Sequence, residues 1–371
     1  MVYQNYNEIA TNNYVINYYV GNIPNDTSSA GQTNLPQNYY IYKKPKNTKF
    51  LYIMGSSGGQ GGGGGSAGTA GYCPGGGGGH PGGLGHTIIP GYLVPDILYV
   101  RPGNGGKGGS GGNNSVSLSA NGYAGQSGTQ SLVTCFDGDL NSVDFGTYAP
   151  AALFCIGFLS GAAGTLVNGG IVGNTSTGGG YPFNYVGNGI TLNGNNTIYF
   201  YAFTTMSLGI SKYIADAGVQ GGYSYAIAAA PALGAAGVFN PPGGGGGGVH
   251  LNGTAYGCTA QTMANSNYVF SGSFSYIDYS TSTPIGGNGL NSYNYGKDIL
   301  SLLKTAGSSN FIGHLGPAMG GGGKLNGNGG NGGHGAIGCG GGGGGGAQGT
   351  NVIGGTGGDG GPGFIYIKAI L

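Results

Sequence analysis

Glycine pairs recur at a fixed three-residue spacing in separate parts of the chain, and this repeat is the strongest constraint on the fold. The residues that the pairs separate form three series: Asn104, Lys107, Ser110 and Asn113; Asn328, Asn331, His334 and Ile337; Ile353, Thr356, Asp359 and Pro362. One slot of the second series holds Ala336 instead of glycine. A period of three matches one turn of a polyproline II-type helix, which has no hydrogen bonds of its own.

Backbone groups without internal partners must bond to neighbouring segments or to water. A glycine pair leaves two edges of such a helix bare, so several tracts can lie side by side and bond laterally while the third residue points away. We therefore predict a bundle of polyglycine II helices, with the uninterrupted glycine runs 61–65, 75–79, 243–248 and 340–346 as its interior members. The alternative is that the tracts are flexible linkers.

The remaining composition favours an ordered chain with short strands. Glycine supplies 93 of the 371 residues, yet the chain also has 28 Tyr, 13 Phe and 38% hydrophobic residues, whereas disordered chains are usually poor in aromatics. Apolar runs at 50–54 and 364–367 flank glycine tracts and read as strands. We predict a mainly β and irregular fold that includes the polyglycine II bundle and one short α-helix near residues 298–305, where four aliphatic side chains share one side.

Changes in composition divide the chain into four regions. Residues 1–38 form a polar N-terminal arm for attachment or assembly. Residues 39–112 are the first part of a glycine-rich β domain, and residues 243–371 are its second part, which closes on a C-terminal strand. Residues 113–242 form an insert rich in Ser, Thr, Asn and Tyr, which is a candidate region for contacting a receptor or another subunit.

Charge and targeting signals exclude several classes. The net charge is +1, and the cluster Lys43, Lys44, Lys46 and Lys49 is too small for a nucleic-acid-binding stripe. The uncharged segment 148–167 contains Pro150 and several glycines, so we expect a buried core segment and no membrane span. The start of the chain lacks the features of a signal peptide, which predicts synthesis in a host cytoplasm. The five cysteines do not suggest a disulfide framework, and free thiols are expected.

Motifs for metal or catalytic chemistry are incomplete. Residues 137–141 hold the first ligand positions of a calcium loop, but Ser142 and Tyr148 stand where glycine and glutamate are needed, so a solvated turn is expected. His80 and His86 follow Cys73 without the second cysteine of a zinc site. We expect no metal and no cofactor. Ten carboxylates spread thinly along the chain give no acid–base pair, and we predict that the protein is not an enzyme.

An apolar strand at 50–54 leads into glycine at 55 and 61–65, the segment 102–109 repeats the glycine pairs, and a last series leads into residues 363–367. This order of motifs resembles the glycine-rich domains of bacteriophage tail fibre and receptor-binding (adhesin) proteins. The resemblance covers residues 39–371 and implies a polyglycine II core with loops that contact the host, and no catalytic residues. The insert at 113–242 and the N-terminal arm depart from the family pattern.

The resemblance implies a structural virion protein that attaches the particle to a host surface. Its expected partners are copies of itself or other virion proteins, together with a host cell-surface glycan or protein. The alternative is a self-assembling filament or coat subunit with no receptor of its own. An ice-binding protein is a third hypothesis, which the many tyrosines disfavour.

Tyrosine is the side chain best suited to surface contact, because it offers a rigid amphipathic face at low entropic cost. Tyrosines in Ser-, Gly- and Asn-rich contexts are the candidate contact residues, although for any single tyrosine a half-buried strand position is the favoured alternative. The candidates are Tyr181, Tyr185, Tyr223, Tyr225, Tyr276, Tyr279, Tyr293 and Tyr295.

Overall fold

A computed structural model shows a chain of short strands and irregular glycine tracts, as the composition predicts. The only helix within the described residues is a single 3-10 turn, Gly91–Leu93, and the predicted α-helix near 298–305 lies outside those residues. The structure describes residues 7–10, 13–22, 40–80, 82, 84–115, 119–129, 131–134, 155–158, 182–185, 190–192, 196–198, 212–213, 243, 245–249, 253–255, 286–291 and 318–371.

Two antiparallel sheets carry the longer strands. The spatial order of the six-stranded sheet is β1 (Asn7–Ala10), β2 (Tyr14–Val20), β17 (Phe364–Ile370), β4 (Phe50–Ser56), β6 (Leu84–Pro90) and β14 (Lys212–Tyr213). The order of the five-stranded sheet is β11 (Pro182–Tyr185), β10 (Cys155–Phe158), β9 (Ser131–Thr134), β7 (Ile97–Arg101) and β3 (Tyr40–Lys43). Strands β12 (Ile190–Leu192) and β13 (Asn196–Ile198) form a separate antiparallel pair.

The two larger sheets share one hydrophobic core, and we call this part the sandwich. Alternation along each strand selects the core residues, since successive side chains point to opposite faces. In β17, Ile365, Ile367 and Ala369 point into the core, and in β3 Tyr40 and Tyr42 are buried while the residues between and after them are exposed. The other core members are Tyr19, Leu51, Ile53, Ile89, Val94, Leu98, Val100 and Val133.

Glycine tracts leave the sandwich at one end. Val20, Phe364, Ser56 and Leu84 are paired side by side at that end of the six-stranded sheet, and Arg101 pairs with Leu132 in the other sheet. The tracts that continue from these strand ends are 57–66, 74–80, 103–112, 121–129 and 353–363. Further tracts that join them are 243 with 245–249, 286–291, 318–323, 328–337 and 340–346.

A small sheet closes the far end of the tracts, and we call this region the distal tip. It contains β15 (Lys324–Leu325), β16 (Ala347–Gln348), β5 (Ala67–Gly68) and β8 (Ser119–Ala120) in that order. The first two pairings are parallel and the last is antiparallel. Ala67, Ala347 and Val352 form its own buried cluster.

Tract 58–66 shows how the glycine tracts are held together. The N–H groups of residues 58, 61 and 64 donate to the tract 123–129, those of 59, 62 and 65 to the tract 355–361, and those of 60, 63 and 66 to the tract 74–80. These nine bonds measure 2.8–3.1 Å between nitrogen and oxygen. Successive residues therefore bond in three different directions, and every third residue bonds to the same neighbour.

Carbonyl groups of the same tract complete its surroundings. The oxygens of residues 59, 62 and 65 accept from the tract 106–112, and those of 60, 63 and 66 accept from residues 341, 344 and 347, all at 2.8–2.9 Å. Residues 58–66 are buried throughout. A Cβ atom at Gly62 would lie 2.1 Å from the carbonyl oxygen of Gly342, so the close approach of the two backbones requires glycine there.

Candidate functional site

Most of the tyrosines predicted to contact a partner lie outside the described residues. For Tyr185 the structure describes the backbone: this tyrosine is the last residue of β11 and lies opposite Cys155 of β10. The others outside the described part are Tyr181, Tyr223, Tyr225, Tyr276, Tyr279, Tyr293 and Tyr295. Their role in contacting a partner stays a prediction.

The fragments of metal motifs are not brought together where the structure describes them. Cys73 forms a bridge with Val249 near the distal tip, whereas His86 lies in β6 of the sandwich. His80 is buried within the tract 74–80. No group of three His, Cys, Asp or Glu residues that could hold a metal ion occurs within the described parts of the chain. The calcium-like segment 137–141 lies outside them.

Side chains at the non-glycine positions of three neighbouring tracts form a regular set of hydrogen bonds, which we call the polar ladder. Its members are Asn288, Asn291, Asn328, Asn331, His334 and Asp359. The Oδ1 atoms of Asn328 and Asn331 accept the backbone N–H groups of Ile353 and Thr356, at 2.9 and 3.0 Å. Each asparagine thus replaces the backbone carbonyl that an interior tract would offer.

The same pattern repeats one tract further along the surface. The Oδ1 atoms of Asn288 and Asn291 accept the N–H groups of Asn331 and His334, at 2.9 and 2.8 Å. The ladder asparagines are exposed to solvent. The sequence predicted that the residue after each glycine pair points away from the bundle, but these side chains instead turn along its surface and bond to the next tract.

Asp359 supplies the charged step of the ladder. Its Oδ1 accepts the N–H of Gly108 at 2.8 Å, and its own N–H donates to Nδ1 of His334 at 3.0 Å. The Nδ1 atom of His334 is the acceptor in this bond. The Oδ2 atom of Asp359 lies 3.5 Å from the same nitrogen.

Polar turns define the distal tip. Asn114 binds both sides of one turn, because its Nδ2 donates to the carbonyl of Gly349 at 2.5 Å and its Oδ1 accepts the N–H of Val352 at 2.7 Å. Nε2 of Gln348 donates to the carbonyl of Gly71 at 2.7 Å. Asn326 and Asn351 have positive φ angles, 53° and 56°, which asparagine tolerates better than most residues. Exposed apolar side chains at or beside this tip are Tyr72, Leu325 and Ile353.

Two buried thiols lie within the bundle. Cys73 and Cys339 are free cysteines, each at most 1% exposed. Burial raises the pKa of the Cys73 thiol to about 11 and holds the pKa of the Cys339 thiol far above its usual range. Both thiols therefore stay protonated and unreactive at neutral pH, as expected for packing residues.

Comparison with known proteins does not identify a relative. No protein-family model matches the sequence, and no curated protein matches it. Across the described parts of the chain, no helix has the length and apolar character that a bilayer-spanning helix needs.

Proposed function

We propose that the chain is a structural virion protein, a fibre or adhesin that attaches the particle to a host surface. The observation that carries the proposal is the tract 58–66, whose backbone bonds laterally to five neighbouring tracts. Bending such a bundle would break several backbone bonds together, so the bundle is stiff. A stiff spacer with a different surface at each end is what an attachment fibre requires.

The proposal includes polyglycine II helices as the form of the glycine tracts. Two observations support this form. Hydrogen-bond direction along tract 58–66 repeats every third residue, as a three-residue turn requires. The backbones also approach so closely that a Cβ at Gly62, Gly108 or Gly357 would overlap a carbonyl of the neighbouring tract, at 1.9–2.1 Å.

The two ends of the bundle are the surfaces on which partners are expected to bind. One end is formed by the outer turns of the sandwich and the other by the distal tip. The expected partners are copies of the chain or other virion proteins, and a host surface glycan or protein. This role calls for no catalysis, no bound nucleic acid and no cofactor, and places the protein in the virion.

Adsorption competition tests this proposal. Purified full-length protein, added before infection, is expected to reduce adsorption of particles that carry the protein, and antibodies against it are expected to label those particles in electron micrographs. Heat-unfolded protein at the same concentration is the control. Failure to label any particle would contradict the virion assignment, and labelling without competition would contradict the attachment role.

A self-assembling filament or coat subunit is the second candidate, and the open sheets favour it. Within the described residues both larger sheets end in edge strands such as β3, and an edge strand can pair with another chain. Ile41 of β3 is an exposed apolar residue on that edge. Analytical ultracentrifugation distinguishes the candidates, because a filament subunit assembles as its concentration rises, whereas a fibre tip stays a monomer or a small closed oligomer.

A further inference from the structure

The lysines of the chain are concentrated in the loop that joins β3 of one sheet to β4 of the other, which we call the β3–β4 loop. Four of the 11 basic residues, Lys43, Lys44, Lys46 and Lys49, lie between the end of β3 and the start of β4. The turn between them is fixed by Asn47, whose φ is 66°, and by the Thr48 hydroxyl, which donates to the Pro45 carbonyl at 2.6 Å. Such a charge density stands out in a chain in which only 6% of residues are charged.

The β3–β4 loop forms one wall of a cavity of about 440 Å³. The facing wall comes from the 3-10 turn and the start of β7. The cavity lies at the end of the sandwich opposite the bundle, because Lys43 pairs with Ile97 and Phe50 pairs with Pro90 at that end. Its lining is Lys43, Lys44, Pro45, Lys46, Asn47, Thr48, Gly91, Tyr92, Asp96 and Ile97.

Lys44 holds the two walls together. Its ammonium donates to the carbonyls of Gly91 and Val94, at 2.8 and 2.5 Å, and lies 3.1 Å from the carboxylate of Asp96. The Lys44 side chain is largely buried, so this lysine positions the cavity and is not free to bind a ligand. It also balances the negative charge of Asp96, which is the single acid among the described residues that line the cavity.

Lys43 and Lys46 leave uncompensated positive charge at the cavity. Both are exposed, and within the described residues no carboxylate lies within 4.0 Å of either ammonium. Lys49 lies outside the cavity lining, and its ammonium donates to an oxygen of Leu371 at 3.1 Å. Cations gathered beside a concave surface attract an anion and raise its local concentration.

Tyr92 adds an aromatic surface to this charge. It lies in the 3-10 turn, is 83% exposed and is the most exposed of the large hydrophobic residues in the described part of the chain. An exposed tyrosine ring offers an apolar face and a hydroxyl. The ring of a sugar has a matching apolar C–H face, and its hydroxyl groups can bond to the side chains of Asn47 and Thr48.

We propose that this cavity binds an acidic sugar unit, with its carboxylate or phosphate on Lys43 and Lys46 and its ring against Tyr92. The inference rests on the proposed attachment function, and it assigns the outer end of the sandwich to the host glycan. Carboxylate and phosphate share the recognition chemistry, so uronic acids and phosphosugars are the two sources that the experiment must separate.

Ligand-observed NMR titration of the full-length protein tests the site. The probes are glucuronic acid, glucose 6-phosphate, glucose and inorganic phosphate. We expect saturable binding of at least one acidic sugar, at least tenfold weaker binding of glucose, and at least a tenfold loss of acidic-sugar binding in Lys43→Ala/Lys46→Ala and in Tyr92→Ala. Lys324→Ala, which removes an exposed lysine at the distal tip, is expected to bind as the wild type does.

Three results would overturn the site: no saturable binding of either acidic sugar, equal binding by the lysine double variant, or inorganic phosphate binding as tightly as glucose 6-phosphate with no effect of Tyr92→Ala. Thermal melting confirms that each variant is folded. Adsorption competition separates this inference from the function on which it rests. If the wild type competes for adsorption but binds no acidic sugar, the proposed site alone is contradicted. If it binds an acidic sugar but does not compete, the attachment function alone is contradicted.

Discussion

Replacing Gly62 by alanine tests the packing of the bundle at its most enclosed tract. The new Cβ would lie 2.1 Å from the carbonyl oxygen and 2.5 Å from the carbonyl carbon of Gly342. Both are backbone atoms, so no side-chain rotation relieves the overlap. The two tracts must separate by about 1 Å to reach even the 3.0 Å at which real Cβ contacts begin.

That separation has a calculable cost. Tract 58–66 is tied to the neighbouring tract by the bonds from Gly341 N–H to Gln60 oxygen and from Gly344 N–H to Gly63 oxygen, at 2.8 and 2.9 Å. An increase of about 1 Å breaks both bonds, and each broken buried bond costs about 1–3 kcal/mol, or about 2–6 kcal/mol for the two. Alanine recovers about 0.4–1 kcal/mol by restricting the unfolded chain. The free energy of unfolding should fall by about 1–6 kcal/mol.

Urea unfolding followed by tyrosine fluorescence measures this change, because the chain has 28 Tyr and no Trp. Gly327→Ala is the matched control, since its Cβ would meet only the side chain of Lys324, at 3.0 Å or more. We expect the control to change the free energy of unfolding by no more than about 1 kcal/mol. A Gly62→Ala variant as stable as this control would refute close backbone packing.

Two further predictions concern the ladder and the buried ionisable groups. Asn331→Ala removes the acceptor of the Thr356 N–H and should lower the free energy of unfolding by about 0.5–1.5 kcal/mol. Asn331→Asp keeps an acceptor and should recover most of this loss in the same urea assay. Equal losses in the two variants would contradict the ladder. Burial raises the pKa of Cys73 from 9.0 to about 11, so the stability conferred by its neutral thiol is fully present below pH 9 and is lost as the pH rises through about 11. Burial, together with the nearby Tyr14, also raises the pKa of Tyr366 to about 12, so the loss of folding stability extends to that pH. Melting temperatures that stay constant from pH 8 to 11 would contradict this.

The sequence was most informative where a side-chain pattern exists. The apolar run at 364–367 predicted strand β17, and the alternation of its residues places Ile365 and Ile367 in the core as the period of a strand requires. The glycine-pair spacing predicted lateral packing, and tract 58–66 is bonded laterally. Local patterns of this kind depend only on neighbouring residues, so one sequence suffices to read them.

The order of the tracts could not be predicted. Gly62 bonds to Gly358, which lies 296 residues further along the chain, and nothing in either glycine encodes that partner. Specificity arises where other residues interrupt the tracts, as Gln60 does when its Oε1 accepts the N–H of Gly128 at 2.9 Å. The ladder was missed for a similar reason, because an asparagine caps a neighbouring tract only once that neighbour is known.

The candidate binding site was partly visible in the sequence as the four lysines of the β3–β4 loop. The prediction that these lysines are too few to bind nucleic acid considered only their number. The fold adds their surroundings, because it brings Tyr92 and Asp96 to the same cavity and holds the Lys44 ammonium on backbone carbonyls. These contacts span about 50 residues, so spacing alone could not reveal them.

Hydrogen–deuterium exchange of the glycine tracts tests the central claim most directly. If the tracts are laterally bonded polyglycine II helices, the amides of residues 58–66 exchange as slowly as those of strands β4 and β17, because all three segments are hydrogen-bonded and most of their residues are buried. Peptides covering 58–66 and 364–370, followed by mass spectrometry from seconds to days, give the comparison. Complete exchange of residues 58–66 within seconds, while β17 stays protected, would show flexible linkers and contradict the bundle.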